Sequence, residues 1–225
     1  MKLKFVDQKF MPIVWSLFFA LTACLLMILI NSVDTKSSYY FFLPYNIFLS
    51  FISPLLALTL RNNLKSQPWL KTSNIILTLL ALVFLPNAFY MITDLIHVQD
   101  VIGIDVLYNI IFTNLAIFIG LTGGFIGLFI IHTELVKRIY YKYAHILIAI
   151  LIVSISFAIY LGRYLRWNSW DIIINPTGLL FDASDTVLHP LTHVSFYPIM
   201  IAMILTIGSM YLVIWQFIKY IKLKS

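Results

Sequence analysis

The chain has 225 residues, 61% of them hydrophobic and 11% charged, with a mean hydropathy of +0.95. Soluble domains carry about 25% charged residues, so a water-soluble globule is excluded. The formal net charge of +6 does not point to nucleic acid, because the basic residues fall in short stretches between apolar runs, where they set membrane topology. A single cysteine, Cys24, excludes an internal disulfide and a cysteine-ligated zinc site.

Apolar runs of about 18 residues or more read as membrane spans, and six can be drawn. The first covers 12–31. Lys2, Lys4 and Lys9 precede it, and Leu21-Thr22-Ala23-Cys24 has the form of a lipoprotein-processing box. A mature lipoprotein turns polar after its cysteine, whereas here residues 25–30 continue the apolar run, so an uncleaved first span is expected. The second span covers 40–60, with Pro44 and Pro54 as expected kinks. The third covers 72–93 and carries Pro86-Asn87 deep in the run. The fourth, fifth and sixth cover 106–131, 143–165 and 191–217. The predicted fold is all-α: a polytopic membrane helical bundle of six transmembrane helices, one domain over 1–225.

Alternation of the loops places twelve of the 15 Lys and Arg on one side: Lys2, Lys4, Lys9, Arg61, Lys65, Lys71, Lys137, Arg138, Lys142, Lys219, Lys222 and Lys224. Both termini are therefore predicted to be cytoplasmic. Only Lys36, Arg163 and Arg166 fall on the other side, together with seven of the nine acidic residues. Acidic residues contribute little to topology, so the outer face is where chemistry is expected. The one long connection, 166–190, contains Trp167, Trp170, the run 172–174 and the run 178–181. It has the composition of an interfacial segment between helices five and six. Gly120, Gly123, Gly124 and Gly127 form two overlapping small-xxx-small pairs in the fourth span. Such a face admits close helix approach, within the chain first, with a homo-oligomer seam as the alternative.

Three constellations offer chemistry. Asp94 and His97 are spaced i, i+3 at the end of the third span, and His189 and His193 are spaced i, i+4 where the sixth begins. On helical faces these four suit a divalent ion such as zinc, and Asp94 and His97 could equally move protons. Pro190 directly after His189 counts against unbroken helix there, and structural roles at helix ends are the plainer reading. Arg163 and Arg166 can bind phosphate or carboxylate through guanidinium forks. Trp167 and Trp170 can stack on a sugar, with Asn168 as a further binding residue and Asp171 as an acid-base candidate. The plainer alternative is an aromatic anchoring belt with an arginine paired to Asp171. Asn87 answers the backbone freed by Pro86, or a substrate. His132 and His145 are expected near the interface with no assigned role.

Leu85-Pro86-Asn87-Ala88-Phe89-Tyr90, continuing through Thr93-Asp94-Leu95-Ile96-His97, and Tyr160-Leu161-Gly162-Arg163 through Arg166-Trp167-Asn168-Ser169-Trp170-Asp171 together resemble the bacterial membrane proteins grouped as domain of unknown function 1361. The resemblance runs from the second span to the sixth. It departs at Phe89, where a second proline is expected. It implies a multi-pass protein of the bacterial cytoplasmic (inner) membrane and supplies no activity.

The expected function is a site-bearing envelope protein that binds or acts on an anionic lipid-linked or cell-wall substrate in the lipid bilayer. Catalysis is permitted by these residues but not required by them. The rivals are a transporter or permease subunit, disfavoured because no ionisable residue lies clearly mid-membrane, and an assembly partner using the glycine face.

Overall fold

The structure, a computed structural model, describes residues 11–99, 105–189 and 191–224. Lys2, Lys4, Lys9, Asp100 and Pro190 lie outside the described residues. The described chain is helical: α1 (Met11–Thr35), α2 (Phe42–Asn63), α3 (Thr72–Tyr90), α4 (Val106–Val136), α5 (Tyr141–Tyr164), α6 (Asp171–Ile174), α7 (Pro176–Leu188) and α8 (Phe196–Lys224). Short 3₁₀ segments at Tyr39–Phe41 and Met91–Gln99 extend α2 and α3. Among the described residues six segments are long and apolar enough to cross a membrane: Pro12–Thr35, Tyr39–Asn63, Thr72–Val98, Val106–Val136, Tyr141–Tyr164 and Phe196–Ile221. The all-α, six-span, multi-pass reading is thus borne out.

The boundaries differ in instructive places. The last span begins at Phe196, not at 191. Ser195 is the residue whose carbonyl accepts the first helical bond, from Ile199 at 3.1 Å. Pro198 falls in the first turn, where a missing N–H costs nothing. Pro44 likewise stands in the first turn of α2, so it starts the helix instead of kinking it; Pro54 is the proline inside.

The chain divides into two compact units. The first takes the described residues of Met1–Phe48 and Met91–Thr122. There the Tyr108 hydroxyl donates to the Met27 carbonyl at 3.0 Å and the Cys24 thiol to the Phe112 carbonyl at 3.7 Å. Earlier residues of α1 therefore meet later residues of α4, and the two run antiparallel. Cys24 is fully buried at this contact.

The second unit takes Leu49–Tyr90 and the described residues of Gly123–Ser225. Here α5 packs on α3 and α8. Phe196 meets Tyr160 at 4.9 Å between ring centres, and Trp215 meets His145 at 5.6 Å, so α8 runs antiparallel to α5. Tyr90 meets Arg163, so α3 and α5 finish at the same end.

The glycines of α4 fill tight places. A Cβ on Gly124 would stand 2.9 Å from the Ala88 Cβ and 3.0 Å from the Phe89 ring. One on Gly127 would stand 3.4 Å from Pro54 N and from a Leu85 methyl. This part of the glycine face is occupied by the chain's own α2 and α3. The connection after α5 becomes two short helices instead of open loop. Asn175 caps α7 by accepting from Gly178 N at 3.1 Å, with Pro176 at its first position. Ile173, Ile174, Leu180, Phe181 and Leu188 remain exposed, as an interfacial segment requires.

Candidate functional site

Within the second unit the two motif segments meet. Asn87, just after Pro86, donates from Nδ2 to the Phe84 carbonyl at 3.1 Å and to Ser169 Oγ at 2.9 Å. It therefore serves its own helix and the segment after α5 at once. Three residues on, the Arg163 guanidinium lies 4.3 Å from the centre of the Tyr90 ring. Gly162 permits the approach: a Cβ there would stand 3.3 Å from both the Tyr90 ring and the Trp167 carbonyl. A cation over an aromatic face contributes about 0.5–2 kcal/mol.

The spacing of Arg163 and Arg166 does not make them neighbours on one helical face, because α5 ends at Tyr164. Arg166 follows in the left-handed region at φ 64°, a position past a helix end that usually takes glycine or asparagine. A side chain there costs about 1–2 kcal/mol. The turn is pinned from both sides. Trp167 N donates to the Leu161 carbonyl at 3.3 Å, and the Trp167 indole donates to Asp182 Oδ2 at 2.9 Å. Asn168 N donates to Asp171 Oδ2 at 2.6 Å. Arg166 itself is exposed, with no side-chain hydrogen bond or ion pair in its unit among the described residues. Asp171 accordingly serves the turn instead of pairing with an arginine. The two tryptophans divide: Trp167 is fixed against α7 and Trp170 is exposed.

His189 and His193 do not share a helix, since α7 ends at Leu188 and α8 starts at Phe196. They converge nonetheless, on one carboxylate: His189 Nδ1 lies 2.7 Å from Asp185 Oδ1 and His193 Nε2 lies 3.0 Å from Asp185 Oδ2. These bonds, that from His193 foremost, hold the Asp185 carboxyl below its ordinary range. Among the described residues no group of three or more His, Cys, Asp or Glu side chains is placed to hold a metal ion.

Asp94 and His97 belong to the first unit. They stand in the 3₁₀ segment, whose three residues per turn bring i and i+3 onto one face. Asp94 is buried and accepts from Asn46 Nδ2 at 2.9 Å. His97 Nδ1 shares a 3.0 Å hydrogen bond with the Tyr39 hydroxyl, and its ring lies 4.9 Å from Phe42. Neither Asn46 nor Tyr39 carries a motif that sequence reading could seize.

Two further groups in the second unit escaped the sequence. His132 is buried, with partners the sequence did not show: its ring stacks on Trp215 at 3.8 Å, and Nδ1 shares a 2.7 Å bond with the Tyr211 hydroxyl. Glu134, in the last turn of α4, is buried among Lys137, Arg138 and Arg61. The i+3 and i+4 spacing of Lys137 and Arg138 signals part of that cluster; nothing in the sequence signals Arg61.

The helices define a multi-pass α-helical membrane protein, with an arginine-aromatic cluster at one end of its second unit. Residues 45–214 match the family described as protein of unknown function (DUF1361), and the chain belongs to that family. No curated protein and no solved structure matches it.

Proposed function

We propose that the Tyr90–Arg163–Arg166 end of the second unit binds the anionic, phosphate-bearing group of a lipid-linked or cell-envelope substrate. The site faces the outer side of a bacterial cytoplasmic membrane, with both termini on the inner side. Arg166 carries the reading. A packing or capping role at φ 64° is filled better by glycine, at lower backbone cost. Strained residues persist where the surroundings over-determine them and the side chain is needed. Here the surroundings are the fixed Trp167 and the Asn168–Asp171 turn, and the side chain offers five unspent donors suited to phosphate. Arg163, over Tyr90, supplies a second cation one turn earlier, and Trp170 an exposed aromatic face. The orientation rests on the side that twelve of the 15 Lys and Arg share.

The test is binding of a polyprenyl phosphate to the full chain in phosphatidylcholine nanodiscs. Arg166→Ala and Arg163→Gln should each weaken it about tenfold, the loss of one charge-assisted contact, while the helical content is unchanged. Lys36→Ala serves as the charge control. Unchanged binding in both arginine variants would sink the proposal.

A further inference from the structure

We propose a second anion site at the opposite end of the second unit: a cup for a phosphate group, built around Glu134 where α2 and α4 finish. A cavity of about 270 Å³ is lined by Arg61, Leu64, Lys65, Glu134, Lys137 and Arg138. A water occupies about 30 Å³, so the cup has room for a phosphate group with part of its hydration.

Its charge favours an anion even after the opposing terms are counted. Arg61, Lys65, Lys137 and Arg138 supply four positive charges and Glu134 removes one. The C-termini of α2 and α4 also point here, each equivalent to about half a negative charge. About two positive charges remain, enough to offset a phosphate with about 1.5–2 negative charges or the single negative charge of a phosphodiester headgroup.

The donors divide into a fixed wall and an open rim. Arg138 is spent on the wall. It pairs with the Glu134 carboxylate and donates to the Glu134 carbonyl at 2.9 Å and to the Leu64 carbonyl at 3.2 Å. Its guanidinium also lies 5.4 Å from the Trp69 ring centre, so it ties the ends of α2 and α4 together. The Glu134 side chain is 3% exposed at the base. Arg61 is the opposite case. It is 40% exposed, its Nε stands 3.8 Å from Glu134 Oε1, and it makes no hydrogen bond among the described residues. Lys65 donates to Asn62 Oδ1 at 3.0 Å and Lys137 to Glu134. Each ammonium has three protons, so both keep donors for a ligand. Charges that merely orient a chain in the membrane need only lie in the loop. They need not converge on a buried carboxylate beside a cavity. The 24 residues of α5 separate this end from Arg163 by roughly 36 Å, so the two sites can be disabled independently.

A lipid headgroup and free phosphate share this chemistry, and two arms separate them. The full chain in nanodiscs of phosphatidylcholine, with or without phosphatidylglycerol, is unfolded by heat. A parallel series in phosphatidylcholine alone receives inorganic phosphate. The wild-type chain should gain stability from phosphatidylglycerol, from inorganic phosphate or from both, and the arm that responds identifies the source. Arg61→Gln/Lys65→Gln removes two rim charges, leaves the Glu134–Arg138 pair and its backbone bonds in place, and should abolish the gain. Arg61→Lys should retain most of it. Lys142→Gln/Lys219→Gln removes the same charge from the same end and should retain the gain, as should Arg166→Ala. Equal losses in the two double variants, or no gain in the wild type from either source, would overturn the site.

Discussion

Asn87 and Ser169 stand 82 residues apart and share a hydrogen bond of 2.9 Å. This bond closes the end of α3 onto the segment after α5, directly beside the Arg163–Tyr90 contact. The Asn87 amide also satisfies Phe84, so removing it loosens both its own helix and the turn that presents Arg166. A side-chain hydrogen bond between membrane helices averages about 0.6 kcal/mol. Asn87→Ala should therefore cost roughly 1 kcal/mol in all, and Ser169→Ala less. The two losses should not add. A double-mutant cycle by unfolding in detergent micelles should return a coupling of about 0.6 kcal/mol; strictly additive losses would refute the contact.

The glycines of α4 and α8 should respond in opposite senses. At Gly124 a Cβ meets Ala88 at 2.9 Å, and neither that methyl nor the backbone behind it can swing away. Gly124→Ala should cost about 1–3 kcal/mol as an overpacked core does. At Gly208 a Cβ meets nothing within 4 Å. Gly208→Ala should stabilise by about 0.5–1 kcal/mol through the lower entropy of alanine in a helix. Unfolding midpoints of the two variants in one detergent decide the matter, and a loss at both positions would mean that the Gly208 side of α8 is covered.

Hydropathy made the six spans legible because each is a long apolar run, and that property is local. What depends on one turn was not legible. Nothing in the spacing of Arg163 and Arg166 showed that α5 ends between them and that Arg166 turns left-handed. The spacing of His189 and His193 promised a shared helical face, yet Asp185 gathers them outside any helix. The two rings meet through that carboxylate and not on a helical face. Partners distant in the chain were out of reach altogether: Ser169 for Asn87, Asn46 for Asp94, Arg61 for Glu134. The pairings come from packed helices, and a single sequence records the helices but not their neighbours.

Acid should release the segment between α7 and α8. Hydrogen bonds from His193 and His189 hold the Asp185 carboxyl below its ordinary value. A carboxyl depressed in the folded state stabilises that state above its unfolded pKa, and the contribution is lost as pH falls through the folded value. The clamp should thus persist down to the ordinary carboxylate range near 3.8 and open below it. Amide exchange in residues 185–196 should rise on acidification below that point. Asp185→Asn should exchange fast at every pH. A rise in the wild type only at alkaline pH would contradict the sign.

Arg166→Gly separates stability from function most sharply. Glycine adopts φ 64° without the cost of a Cβ, so the variant should unfold about 1 kcal/mol later than the wild type. Lys36, at φ 53° after the end of α1, provides the matching control, and Lys36→Gly should gain by a similar amount. Only Arg166→Gly should lose polyprenyl phosphate binding, because only there does the side chain serve the ligand. A strained residue that improves the fold when relaxed and harms binding when removed is the expected signature of a site that trades stability for an exposed cation. If Arg166→Gly were more stable and bound as well as the wild type, the arginine would be an accident of the turn, and the reading it carries would fall.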